Sequence, residues 1–129
     1  MEQLGDKKIF DLKERTFLFS KQLLSALKQI PRTPLNQNQI SQCIRSGTSI
    51  GANYWEADCA QSKKDFEHKI GICKKEAQET EYWLRLLIHL DSSRELVDLL
   101  DEVNQLRKIF ISIVKKSRES PLPELGIKN

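Results

Sequence analysis

Residues 62–90 read SKKDFEHKIGICKKEAQETEYWLRLLIHL, and the spacing within this stretch decides the fold. Its apolar or small residues Phe66, Ile70, Cys73, Ala77, Thr80, Leu84 and Leu87 recur in alternating steps of four and three. That is the seam of an amphipathic helix packed against other helices. Ser62 and Asp65 have capping-box spacing, with Asp in place of the usual Glu or Gln. No Pro interrupts the run, so the spacing predicts one long helix over 63–90.

Two features of this helix go beyond a single seam. Ile72, Trp83 and Leu86 widen the apolar stripe on one flank. They are the candidate oligomer interface; the alternative is burial within the protomer. The face opposite the seam reads Lys64, His68, Gly71, Lys75, Gln78, Tyr82, Arg85 and His89, without one carboxylate. A face sorted by sign in this way is a candidate phosphate-binding strip, with Lys64, Lys75 and Arg85 on phosphates and Tyr82 placed to stack on a base. The plain alternative is a solvated helix face.

Working outward, Ile9, Leu12, Thr16, Phe19, Leu23, Ala26 and Ile30 step by three and four in the same way, predicting a helix over 9–30 that Pro31 stops. Thr33 is placed to cap a helix over 35–60, with Pro34 tolerated in its first turn. The middle of that helix, SGTSIGAN, is built of small residues. Each interior glycine costs about 1 kcal/mol against Ala. Close approach of a neighbouring helix offsets such a cost; the alternative is a break into two shorter helices. Arg45, Ser46, Ser49, Asn53 and Glu56 interleave with the small face and are expected either to bond across helices or to touch a partner.

Beyond residue 90, Ser92 and Glu95 again have capping-box spacing. Leu96, Leu99, Val103, Leu106, Phe110 and Ile113 give the seam of a helix over 93–118. Lys115, Lys116 and Arg118 gather at its C-terminus, where cations suit the helix dipole. Pro121 and Pro123 exclude further helix, leaving residues 121–129 as a loose tail beyond a domain spanning 1–120. Four helices with short connections predict an all-α, up-down-up-down four-helix bundle. Wide apolar stripes on three of the four suggest self-association.

Bundle cores can hold di-iron sites, which need two Glu-x-x-His pairs and two further Glu. The chain has two histidines. His68 follows Asp65 and lies off the seam, and His89 follows Leu86, so the pattern is missing. No C-x-x-C or H-x-x-x-H pair offers a zinc site. Cys73 and His89 stand about 24 Å apart along one helix. No phosphate loop or nucleophile elbow occurs. No catalytic constellation, metal or cofactor is expected.

A net charge of +3 permits nucleic-acid binding without demanding it. Three cysteines without a close pair, Cys43, Cys59 and Cys73, suit reduced thiols rather than a disulfide framework. Apolar runs of a few residues predict no membrane span, and MEQLGDKKIF lacks the apolar core of a signal peptide. The expected location is the cytoplasm.

The run from ISQCIRSGTSIGANYWEA through SKKDFEHKIGICKKEAQETEYWLRLL resembles the four-helix bundle proteins encoded in intervening sequences of bacterial large-subunit ribosomal RNA genes. FDLKERTFLFSKQLLSALKQIP resembles that family's first helix, so the resemblance covers nearly the whole chain. The family is also similar to the accessory variability determinant protein of diversity-generating retroelements. The resemblance implies a homopentameric barrel of four-helix protomers and supplies no enzymatic activity. For the retroelement branch it implies binding to nucleic acid, RNA or DNA, and to a reverse transcriptase. Two functional classes follow: an oligomeric nucleic-acid-binding accessory protein, or an oligomeric scaffold for another protein.

Overall fold

The computed structural model describes residues 11–119. The expected start of the first helix at Ile9 and the expected tail at 121–129 lie outside the described residues. Within them the chain forms α1 (Leu12–Lys28), α2 (Gln37–Ala57), α3 (Lys63–Leu90) and α4 (Arg94–Glu119), and no strand.

Side-chain caps open α1, α3 and α4, and a hydrogen-bonded turn leads into α2. Asp11 accepts a hydrogen bond from the Glu14 N–H at 3.2 Å and opens α1. The end of α1 tightens, with the N–H groups of Gln29 and Ile30 donating to the Ala26 and Leu27 carbonyls at 3.2 Å. Before α2, the Thr33 hydroxyl accepts from the N–H groups of Leu35 and Asn36, both at 3.2 Å. The Asn36 side chain returns the favour, accepting from the Thr33 N–H at 2.8 Å. This is a capping box with Asn as its far member. It closes one turn over Pro34, and α2 proper begins at Gln37, two residues later than the sequence suggests. Ser62 Oγ caps α3 on the Asp65 N–H at 3.0 Å. At α4 the cap is Ser93, not Ser92: Leu96 N–H donates to Ser93 Oγ at 3.2 Å and Val97 N–H to the Ser93 carbonyl at 3.1 Å. Asp91 is still tied to Leu87 by its N–H, so Ser92 makes the turn and the cap moves on by one residue.

The helices run alternately up and down. Partner numbers across α2 and α3 fall as they rise along α2: Arg45 pairs with Glu79, and Glu56 with Lys69. Arg107 with Glu81 and Ser117 with Glu67 set the same antiparallel sense for α3 and α4. Arg15 of α1 meets Glu102 and Gln105 of α4, closing the ring of four. The seams meet in one core, in which Phe19, Leu23, Ile50, Ile70, Leu84, Val103, Leu106 and Phe110 are fully buried. All the α3 seam residues from Ile70 to Leu87 are buried, and Phe66 is half-buried against the core.

The small-residue stretch of α2 is continuous helix, and Gly47 and Gly51 lie buried against α1. Of the interleaved polar groups, Arg45, Ser46 and Glu56 bond across to α3. Arg45 pairs with Glu76 and Glu79, Ser46 Oγ lies 2.8 Å from Thr80 Oγ1, and Glu56 accepts from Lys69 at 2.6 Å. Ser49 and Asn53 instead donate to carbonyls of their own helix, Arg45 and Ser49, at 2.7 and 2.8 Å. Cys43 and Cys73 are core residues whose thiols burial pushes up to about 12, while Cys59 is exposed. Among the described residues no helix is long and apolar enough to cross a membrane.

Candidate nucleic-acid interface

Helix α3 packs between α2 and α4, and this placement sorts its charges. Glu76 and Glu79 point sideways to Arg45 of α2, with Arg45–Glu76 at 3.5 Å. Glu81 points the other way to Arg107 of α4 at 3.1 Å, and Glu67 accepts from the Ser117 hydroxyl of α4 at 2.7 Å. Glu67, Glu76, Glu79 and Glu81 of α3 are thus engaged with its neighbours. Lys64, Lys75 and Arg85 are exposed on the outward face, and among the described residues none of them pairs with a carboxylate. From Lys64 to Arg85 this strip is about 30 Å long at 1.5 Å per residue.

Tyr82 is 58% exposed on the same face. Its ring meets Trp83 edge-on, with centroids 5.0 Å apart at 73°. Trp83 in turn packs against the core and donates its indole N–H to Glu79 at 2.9 Å. Tyr82 therefore stands on a fixed base with much of its surface in solvent. Tyr82, Arg85, Gln78, Glu81 and Leu86 line a shallow depression of about 590 Å3. The structure thus brings two predicted groups together: Leu86 and Trp83, read as interface, adjoin Tyr82 and Arg85, read as binding residues. Lys64 and Lys75 lie nearer the N-terminal end of the helix. Ile72, Trp83 and Leu86 are all half-buried in the protomer.

Sequence reasoning missed two features. One is an exposed aromatic pair on the far side of the bundle. Phe17 of α1 and Trp55 of α2 are 45% and 44% exposed, with ring centroids 6.1 Å apart. Lys13 lies 4.6 Å above the Trp55 ring and Lys21 lies 5.5 Å from the Phe17 ring. Phe17 reads in the sequence only as broadening the apolar stripe of the first helix, with Leu24 and Leu27, and nothing local shows that its ring meets Trp55. The other is a groove of about 710 Å3 between α1 and α4, whose charged lining is Lys21, Glu95 and Asp98. One cation against two carboxylates is the wrong sign for a polyanion.

A family model described as 23S rRNA-intervening sequence protein matches residues 8–112. Among solved structures, the chain is similar to a protein of unknown function from the S23 ribosomal protein family of Bacteroides thetaiotaomicron. The two are 38% identical with a TM-score of 0.72, over 80% of this chain and 97% of that one. No curated protein matches the chain.

Proposed function

The chain belongs to the 23S rRNA-intervening sequence protein family, and from that premise we propose that it is a non-catalytic, oligomeric nucleic-acid-binding protein whose contact surface is the outer face of α3. Lys64, Lys75 and Arg85 take phosphates and Tyr82 stacks on an unpaired base. One observation carries this reading: the carboxylates of α3 at Glu76, Glu79 and Glu81 are spent on neighbouring helices, while Lys64, Lys75 and Arg85 have no acidic partner among the described residues. A cation already paired would have to give up its carboxylate to bind phosphate. An unpaired one releases only counterions, which favours association at low salt.

A protomer of +3 presents a weak strip. Self-association repeats that strip, and linked weak contacts raise avidity if one strand reaches several of them. A pentameric ring, implied by the family resemblance, suits this arithmetic. The contacts on phosphate carry no sequence information, so binding is expected to be tolerant of sequence.

Changing Lys64, Lys75 and Arg85 together to Gln tests the reading. Light scattering should give the same mass for variant and wild type, a multiple of 15.0 kDa. Affinity for single-stranded RNA should fall, and the slope of log K against log salt should flatten by about 2 for each strip engaged. Unchanged affinity and slope would remove the strip as the site. In that case the Phe17–Trp55 pair favours the second reading, a scaffold that docks another protein on its α1–α2 face.

A further inference from the structure

Three glycines lie inside helices of the bundle, and two have a packing reason. A Cβ on Gly47 would collide with Leu23, and one on Gly51 would crowd Thr16. Gly71, on the outer face of α3, has no such reason: a Cβ built there meets no atom within 4 Å. An interior helix glycine costs about 1 kcal/mol against Ala, and no neighbouring helix offsets that cost here.

What Gly71 does is leave a groove open. It borders a cavity of about 410 Å3 between α3 and the C-terminal half of α4. Ile111 and Val114 give this groove apolar surface, and Lys74, Lys115 and Arg118 supply cations. Glu67 and Glu119 also line it, and Glu67 is held by the Ser117 hydroxyl at 2.7 Å. Three cations against two carboxylates leave one net positive charge. The volume falls within the range of about 300–1,000 Å3 common for small-molecule sites.

We propose that this groove receives one unpaired base, with its adjoining phosphate, from a single-stranded nucleic acid lying along α3. The inference rests on the nucleic-acid reading of the α3 face and deepens it. A base has an apolar face for Ile111, which is 42% exposed, and for Val114. One net charge suits one phosphate and is too little to track a duplex backbone. The groove opens onto the same face as Tyr82, about 16 Å further along the helix. A strand leaving the groove therefore runs past Lys75 to the Tyr82 and Arg85 depression. Bases in a duplex stay stacked and paired and do not enter such a groove, whereas unpaired bases can be splayed out and bound one at a time. The protein should prefer single strands.

Gly71→Leu tests this. Leucine is a strong helix former, a Cβ at this position meets no atom within 4 Å, and the rest of the side chain has the groove to enter, so the fold should stand and melt no lower than wild type. Binding is read by fluorescence anisotropy with a labelled 20-nucleotide RNA, alone and annealed to its complement. Wild type should bind the single strand more tightly than the duplex. Gly71→Leu should weaken single-strand binding on the order of tenfold, the value of one stacked base, and leave duplex binding unchanged. Equal wild-type affinity for both forms, or single-strand binding untouched by Gly71→Leu, overturns the groove. If Gly71→Leu changes nothing while the triple Gln variant loses affinity, the strip stands and the groove falls. If wild type binds neither RNA, both readings fall.

Discussion

Arg15→Met should destabilise the protein by about 3 kcal/mol in urea unfolding, and adding Glu102→Leu should recover most of that loss. Arg15 lies on the buried side of α1 with a side chain only 6% exposed, and its partner Glu102 on α4 is 21% exposed. The guanidinium donates Nε to Glu102 Oε2 at 2.7 Å and Nη2 to Glu102 Oε1 at 3.0 Å, a bidentate pair. Nη2 also donates to Gln105 Oε1 at 3.0 Å. The Gln105 amide is itself steered by donating to Asp101 at 2.9 Å. Removing Arg15 alone leaves a partly buried carboxylate without its cation and an amide oxygen without its donor. Breaking a buried pair on one side costs about 3–5 kcal/mol, and the residual exposure of Glu102 places this one at the low end. Removing both charges avoids that penalty. What the pair does is hold α1 against α4, where the groove between the two helices leaves them less closely packed. A loss below about 1 kcal/mol for Arg15→Met would place the pair with ordinary surface bridges.

Gly51→Leu should cost roughly 1–3 kcal/mol or more by overpacking the α1–α2 contact. A Cβ there lies 3.2 Å from Thr16 Cβ and Oγ1 and 3.3 Å from the Thr16 carbonyl oxygen. The carbonyl belongs to the α1 backbone, so a change of rotamer cannot clear the space. Thr16 is fully buried, and its hydroxyl is committed to the Leu12 carbonyl at 2.8 Å. At Gly47 the obstacle is a side-chain methyl of Leu23, but Leu23 is itself fully buried, so it has little room to turn. Gly71→Ala supplies the control within the same protein. With open space around it, it should gain up to about 1 kcal/mol from helix propensity. Thermal melts by circular dichroism should therefore move in opposite directions for Gly51→Leu and Gly71→Ala. A Gly51→Leu variant that melts with wild type would mean the α1–α2 face is open.

The contrast among the glycines shows what was legible in the sequence. Heptad seams are local patterns, and those of α3 and α4 located Ile70, Cys73, Leu84, Val103 and Phe110 in the core. The glycines of α2 were legible as a close approach because two of them fall one turn apart on a polar-poor face. Gly71 appeared only as one more uncharged residue on the outer face, since its openness depends on where α4 runs. Arg15 was illegible for a similar reason. It sits between Glu14 and Thr16 like any surface charge, and its partners lie on the last helix. The choice between Ser92 and Ser93 turned on where Asp91 released α3, a backbone detail that two adjacent serines do not encode. The charge sorting of α3 was visible as a carboxylate-free face. That its acids reach sideways to Arg45 and Arg107 needed the neighbouring helices in place.

Two exposed aromatic groups on opposite sides of the bundle now compete as the surface that meets nucleic acid: Tyr82 with Arg85 on α3, and Phe17 with Trp55 beneath Lys13 and Lys21. Photo-cross-linking separates them most directly. Wild-type protein is irradiated with a single-stranded RNA carrying 5-bromouridine, digested, and the attached residue identified by mass spectrometry. The predicted result is attachment at Tyr82 of α3. Attachment at Trp55 or Phe17, with none on α3, would contradict the account.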